Sequence, residues 1–331
     1  MKRISILAIN DATMSSIDSA FQVLTRVNDF LRYRGKPAFY QVEIVGMNDT
    51  VELNYGLYRI RVDRTIDVVQ KTDVIVIPLT CGDFPTSIRA NAPYADWVKE
   101  QYFKGTEIVS LCVGSFFLAS TGLLAGKKCA VHWAAKNEFC ALFPDVKVTD
   151  TAIITDENNI YTCGGGFSYL NLLLYIIEKH VGHDLSVIAS KMFEIDIDRH
   201  SQQPFTIFLG QKRHGNQTVL NAQEIIENNP TQNFTVEYLC DKLTVSRRTL
   251  ERWFKKCTGN SILEYVQRVK VEFAKKQLEA NEKPVSEIIF EAGYTNADAF
   301  RRIFKKYTEL SLLAYRNKYK SFRGNHADLF E

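Results

Sequence analysis

What this 331-residue sequence lacks narrows its function first. No apolar run approaches the ~20 residues that a helix needs to cross a bilayer, so no membrane partner is expected. Seven cysteines, odd in number, scattered and without CxxC spacing, leave neither a disulfide framework nor a zinc motif and point to a reducing cytoplasm. The glycine run at 164–166 does not match GxGxxG, and no strand–GxGxxG–helix unit exists. No nucleotide, metal or other cofactor is therefore expected. The start, MKRISILAIND, is basic, but its apolar stretch is short and ends at Asn10-Asp11; it reads as a first strand and not as a signal peptide.

The remaining composition is that of a globular protein, with 46% apolar and 24% charged residues, in a chain longer than one typical domain. The net charge of +3 is small but uneven. Residues 1–216 carry 22 Lys and Arg against 23 Asp and Glu; residues 217–331 carry 19 against 15, with the basic residues clustered around 247–256 and 301–306. Such asymmetry points to an anionic partner for the second half.

Up to about residue 200, strand-like and helix-like stretches alternate. Strands are expected at 3–10, 40–47, 72–79, 107–112, 127–133 and 146–163, the last with a turn at Glu157-Asn158-Asn159. Helices are expected at 15–35, 92–103 and 167–182. Apolar strands interleaved with helices indicate a mostly parallel sheet covered on both faces. Periodicity fades over His200–Asn221, and beyond it everything reads as helix, broken at Gly259, Pro284 and Gly293. The expected layout is an α/β domain at 1–201, a linker at 202–217, an all-α domain at 218–323 and a tail at 324–331.

The helical half repeats one plan. TVEYLCDKLTVSRRTLERWFKKCTGNS (235–261) and VSEIIFEAGYTNADAFRRIFKKYTELS (285–311) each give a short helix, a turn and a second helix with basic residues outward. Val236, Leu239 and Leu243, then Leu250, Trp253 and Phe254, form the apolar faces of the first; Ile288, Ile289 and Ala292, then Phe300, Ile303 and Phe304, form those of the second. These are two helix-turn-helix units, at 235–258 and 285–308, whose second helices are suited to the major groove of double-stranded DNA. The stretch 261–281 reads as one helix between them, opened by a Ser261/Glu264 capping box. Roughly 20 residues at ~1.5 Å give ~30 Å, close to the ~34 Å between successive major-groove faces. Base-edge candidates are Ser246, Arg247, Arg248, Glu251 and Arg252, and Thr295, Asn296, Asp298, Ala299, Arg301 and Arg302. Lys255, Lys256, Lys305 and Lys306 suit phosphate.

The residues Ser246–Lys255, Gly259–Ser261, Tyr265, Ala274, Val285–Ile288, Gly293–Tyr294, Phe300–Lys306 and Tyr315–Arg316 resemble the AraC/XylS DNA-binding domain over about a hundred residues. Lys270 stands where that family usually has Arg, Ile262 and Leu312 replace its usual prolines, and Glu309 replaces its second Gly. The last changes are expected to loosen the second unit's C-terminal turn more than its recognition helix.

In the first half, IVSLCVGSFFLAS (108–120) has the form of a strand–turn–helix elbow around Cys112. With LFPDV (142–146), TCGGG (162–166) and the helices of 167–195, it resembles the class I glutamine amidotransferase-like fold in its PfpI/ThiJ branch. Joined to an AraC-type domain, the whole resembles GlxA-type transcription regulators. The resemblance implies a flavodoxin-like α/β sandwich that senses a ligand and dimerises, followed by tandem helix-turn-helix units, in a cytoplasmic, nucleoid-associated regulator that works with RNA polymerase. PfpI-branch hydrolases have His after the nucleophilic Cys, where this chain has Val113. Cys112, His132 and Asp11 can be drawn as a triad, and an amidase or deglycase tethered to DNA is the alternative function. A ligand pocket inherited from an enzyme is favoured, with an inert buried thiol as the third reading. The pocket is expected at the carboxyl ends of the strands, from Asp11, Cys81, Gly82, Cys112, Val113, His132 and Trp133. The Trp133 ring suits an amine or amino-acid-like effector.

Overall fold

The computed structural model describes residues 1–149, 151–280 and 283–320, and the chain divides into two compact units after Gln202. Asn281, the residues 321–323 and the tail at 324–331 lie outside the described residues.

In the first unit the order is β1 (Lys2–Leu7), α1 (Met14–Tyr33), β2 (Tyr40–Gly46), β3 (Thr50–Leu53), β4 (Tyr58–Arg61), β5 (Arg64–Thr65), β6 (Val74–Ile77), α2 (Phe84–Phe103), β7 (Glu107–Ser110), α3 (Ser115–Ser120), β8 (Lys128–Cys129), α4 (Lys136–Leu142), β9 (Lys147–Val148), β10 (Ile154–Glu157), β11 (Ile160–Cys163), α5 (Tyr169–Val181) and α6 (His183–Met192). Seven strands make one sheet in the order β10-β11-β7-β6-β1-β2-β5. All neighbours run parallel except β10, which is antiparallel to β11 at the edge. Every residue of Val74–Ile77 is buried, as a central parallel strand requires when helices cover both faces. The α/β sandwich expected from the alternating pattern is thus formed.

Among the stretches that differ from the sequence expectation, three have a local physical reason. The 127–133 segment does not extend the main sheet. Its β8 pairs in parallel with β9 in a separate ribbon, and the next N–H, of Ala130, donates at 2.8 Å to the side-chain hydroxyl of Thr162 in β11, not to a strand carbonyl. Helix α2 begins at Phe84, not Ala92, because the Asp83 carboxylate accepts the Thr86 N–H at 2.8 Å and Pro85 falls in the first turn, where its missing donor costs nothing. A β3–β4 hairpin fills 50–61, where no strand was expected; Val51 and Leu53 are buried and Thr50 and Glu52 exposed, an alternation only four residues long.

In the second unit the helices are α7 (Gln217–Asn228), α8 (Val236–Leu243), α9 (Arg247–Thr258), α10 (Ile262–Ala280), α11 (Val285–Glu291), α12 (Ala297–Thr308) and α13 (Leu312–Tyr319). They enclose two separate cores. The first joins Val219, Ala222 and Ile226 to Leu239, Leu250, Phe254 and Tyr265; the second joins Ala274 and Leu278 to Ile288, Phe300, Phe304 and Tyr315. Helix α10 contributes to both, through residues up to Val269 on one side and from Val271 on the other. Its expected capping box is present: the Ser261 N–H donates to Glu264 at 2.7 Å, and the Glu264 N–H to the Ser261 hydroxyl at 3.2 Å. Of the stretch read as a linker, residues 203–216 run along this unit. Phe208 packs edge-on against Tyr265 with ring centres 4.9 Å apart, and the Gln211 carbonyl accepts from Gln223 at 3.0 Å.

The C-terminal turn of the second helix-turn-helix, expected to be loosened by Glu309, closes like the first. The Gly259 N–H reaches the Lys255 carbonyl at 2.9 Å, and the Glu309 N–H reaches the Lys305 carbonyl at 2.8 Å. Thr258 and Thr308 donate alike to the Phe254 and Phe304 carbonyls, each at 2.8 Å. Glu309 achieves this with φ 59°, the left-handed region where glycine is favoured. Glu309→Gly should therefore stabilise the helical unit by about 1 kcal/mol, read as a higher melting temperature of the full chain's helical transition. An unchanged or lowered midpoint would show that the turn stores no strain.

Candidate functional site

The carboxyl ends of the parallel strands gather the first candidate site. After β1, Asp11 is left-handed (φ 61°), and its carbonyl accepts the Cys81 N–H at 2.8 Å and the Cys81 thiol at 3.1 Å. Ala12 and Thr80 form a single antiparallel bridge beside them. The loops after β1 and β6 are thereby zipped together, which unites Asp11, Cys81 and Gly82. The β3–β4 turn closes on the same place. Its Asn54 side-chain oxygen accepts the Met14 N–H at 2.7 Å, and the Tyr55 ring lies 3.4 Å from where a Cβ on Gly82 would stand. Asn54 and Tyr55 were missing from the expected pocket; the only available signal was the turn chemistry of Asn-Tyr-Gly.

Cys112 sits on the expected elbow, at φ 51° in a single 3-10 turn directly after β7. The bend depends on Gly114, where a Cβ would fall 2.5 Å from the Pro78 carbonyl oxygen. The Cys112 side chain points into a dry interior: the residue is 1% exposed, and its N–H donates to the Cys163 sulfur at 3.2 Å. Burial pushes the Cys112 thiol up to about 12, against the opposing effect of the Val113 N–H. Burial raises Cys129 and Cys163 as well.

Among the described residues, no hydrogen bond joins Cys112 to His132 or Asp11, so the drawn triad is not assembled. The His132 Nδ1 accepts the Ala134 N–H at 3.1 Å and caps the turn at Trp133–Ala135, while burial lowers its pKa. A thiol with neither a nearby base nor a cation is neutral near pH 7 and is a poor nucleophile.

His132 and Trp133 follow the side ribbon, not a strand of the main sheet, which corrects the expectation for those two residues. Gln202 nevertheless ties them to the sheet's edge. Its side-chain oxygen accepts the Trp133 N–H at 3.1 Å, its amide donates to the Val131 carbonyl at 3.0 Å, and it presses against Gly164 so closely that a Cβ there would collide. Trp133 and Val113 are half-buried. Gln202 is 4% exposed, and nothing in its polar sequence surroundings marked it.

The second candidate site lies on α9 and α12. Ser246, Arg247, Arg248, Glu251, Arg252, Lys255 and Lys256, and Thr295, Asn296, Asp298, Arg301, Arg302, Lys305 and Lys306, are all exposed; Ala299 is half-buried. Inward, Leu250 and Phe254 match Phe300 and Phe304, each fully buried. Ser246 and Asn296 cap their helices by accepting the N–H of Thr249 and Ala299. Capping turns the Asn296 oxygen toward the helix start, while its amide donors and one oxygen lone pair remain unused by the cap. Arg247 is engaged by Glu237 and Glu251, and Arg301 by Asp298 at 2.8 Å. Exposed pairs of this kind contribute under about 1 kcal/mol and yield readily to a stronger partner. Arg248, Arg252 and Arg302 make no ion pair among the described residues.

The thiol geometry has a direct test. With iodoacetamide at neutral pH, exposed Cys140 should be labelled well before Cys112, whose rate should stay below that of a free thiol across pH 7–9. Mass mapping that finds Cys112 modified first would overturn the buried-thiol assignment.

Comparison with known proteins divides the chain in the same way. A model of the DJ-1/PfpI family matches residues 2–179, and one described as a helix-turn-helix domain matches residues 239–318. The HTH-type transcriptional regulator GbdR of Pseudomonas aeruginosa is 26% identical over 307 residues, covering 92% of this chain and 81% of its own. The HTH-type transcriptional regulator GlxA of Rhizobium meliloti is 22% identical over 316 residues, covering 92% and 94%. A solved structure from Vibrio parahaemolyticus, provisionally described as a transcriptional regulator, aligns with a TM-score of 0.52 at 21% identity, over 58% of this chain and 98% of that one. That last likeness concerns the fold alone.

Proposed function

The chain belongs to the DJ-1/PfpI family, and from that premise and its tandem helix-turn-helix unit we propose that it is a sequence-specific DNA-binding transcription regulator of the AraC/XylS type. The observation that carries this reading is the pair of capped helices α9 and α12, alike in buried face and basic exposed face, joined through one 19-residue helix. At ~1.5 Å per residue that helix spans roughly 28 Å, near the repeat of the major groove. Two readers on one chain then address two half-elements about one turn apart. The naming of GbdR and GlxA as transcriptional regulators across nearly the whole length supports the same assignment.

The first unit acts as the sensor. Its strand ends, with Asp11, Cys81, Gly82, Val113 and the Tyr55 turn, receive a small effector of amine or amino-acid-like chemistry, with Trp133 after the side ribbon as the aromatic group. A buried, neutral Cys112 supports sensing over turnover. The effector controls the readers by binding one arrangement of the protein more tightly than another. The regulator works as a homodimer in the cytoplasm and meets RNA polymerase at its promoters. No described helix is long and apolar enough to cross a membrane.

Selection of genomic fragments with the full chain, then shift assays at two salt concentrations, tests the reading. Enrichment of a paired motif is expected. Salt-sensitive binding without any motif would reduce the helical unit to a tether. Within that assay, Arg248→Ala or Arg301→Ala should cost about 1–3 kcal/mol and relax base preference. Lys255→Ala should weaken all sequences alike and flatten the salt dependence.

A further inference from the structure

Helix α10 carries a cation where none is needed for solubility. Lys270 lies between Val269, in the first core of the helical unit, and Val271, in the second, and is 2% exposed. Among the described residues, no carboxylate meets its ammonium. Nζ donates to the Ala292 carbonyl at 2.6 Å and to the Asn233 side-chain oxygen at 3.1 Å, and it stands 5.4 Å from the centre of the Tyr294 ring. Burial holds this lysine down to about 8. Keeping a cation in such a place costs free energy that an apolar side chain avoids.

Its partners belong to both readers. Asn233 is in the loop that leads into α8 of the first helix-turn-helix. Ala292 and Gly293 form the turn just before α12, the second reader. Asn233 closes the triangle by donating to the Gly293 carbonyl at 2.9 Å. Gly293, at φ 81°, admits this approach: a Cβ there would lie 2.5 Å from the Thr231 carbonyl oxygen and 2.7 Å from the Lys270 Nζ. The far end of α12 is held to the same helix. Arg268 lies over the Tyr307 ring at 4.9 Å, and the Tyr307 hydroxyl donates to Gln267 at 3.3 Å.

We propose that Lys270 is the positioning residue that sets the separation and angle of the two DNA-reading helices, and thereby the spacing between half-elements that the protein accepts. A hydrophobic side chain at 270 would leave both cores packed but would release the entry loop of one reader from the turn of the other. This inference rests on the DNA-reading function proposed above.

The test uses the full chain against a DNA library in which two half-elements are separated by varied spacers, with a single half-element as control. The parent protein should enrich one narrow spacing. Lys270→Met should lower affinity for that paired site about tenfold, as loss of hydrogen bonds to a charged group implies, and should broaden the enriched spacings. Its affinity for the single half-element should not change. Lys270→Arg, which keeps a cation with several donors, should retain the narrow spacing. Asn233→Ala removes the loop's side of the contact while keeping the ammonium–carbonyl bond; it should broaden the spacing too, and it carries the test if Lys270→Met does not fold. Unchanged spacing in Lys270→Met and Asn233→Ala, or equal losses on paired and single elements, would overturn the positioning role. A parent protein that enriches no paired motif would instead overturn the DNA-reading function itself, and the spacing role with it.

Discussion

One helix serves two hydrophobic cores, and the second unit depends on that sharing. The first half of α10 closes the core under α9, and its second half opens the core under α12. Neither core has enough apolar surface to be large, so each relies on a continuous helix to fix its geometry relative to the other. The same details recur on both sides. Tyr265 and Tyr315 stand edge-on to Phe254 and Phe304, with hydroxyls donating to Glu227 and Glu279 at the ends of α7 and α10. α10 thus occupies in the second helix-turn-helix the place that α7 occupies in the first. Duplication accounts for two readers of the same build, and the shared helix accounts for their being held together.

The first unit shows how an enzyme-like elbow can persist without enzyme-like electrostatics. The backbone elements of a nucleophile turn are all present: a parallel strand, a left-handed Cys and a glycine packed against the neighbouring loop. Among the described residues, neither a charge nor a base acts on the thiol. Sulfur from Cys163, not an imidazole, lies against the Cys112 backbone, and His132 spends its ring nitrogen on a turn. The strand ends above the elbow are instead laced together by backbone and amide hydrogen bonds, from Asp11 to Cys81 and from Gln202 to Trp133 and Val131.

Much of this was legible in the order of residues. The two helix-turn-helix units, the capping box of α10, the parallel sheet and the elbow each follow from local periodicity, a cap or a turn residue. These are short-range terms that a stretch of chain expresses wherever it lies. The hairpin at 50–61 escaped although Val51 and Leu53 alternate with Thr50 and Glu52, because four residues of alternation are a weak signal beside the long buried strands. The departure of β8 from the main sheet depended on the Thr162 hydroxyl, more than thirty positions away, capturing the Ala130 N–H.

Composition and periodicity by themselves determined the two-part plan, the basic outward faces of α9 and α12 and the bend at Cys112. Tertiary structure alone decided which polar groups lost their water. It placed Cys112 in an interior where its thiolate is disfavoured, brought Gln202 out of an apparent linker to the edge of the sheet, and set the Lys270 ammonium between two cores, with no carboxylate against it among the described residues. Solvation is a property of everything that surrounds a side chain, and in each of these cases the surroundings come from segments distant in sequence.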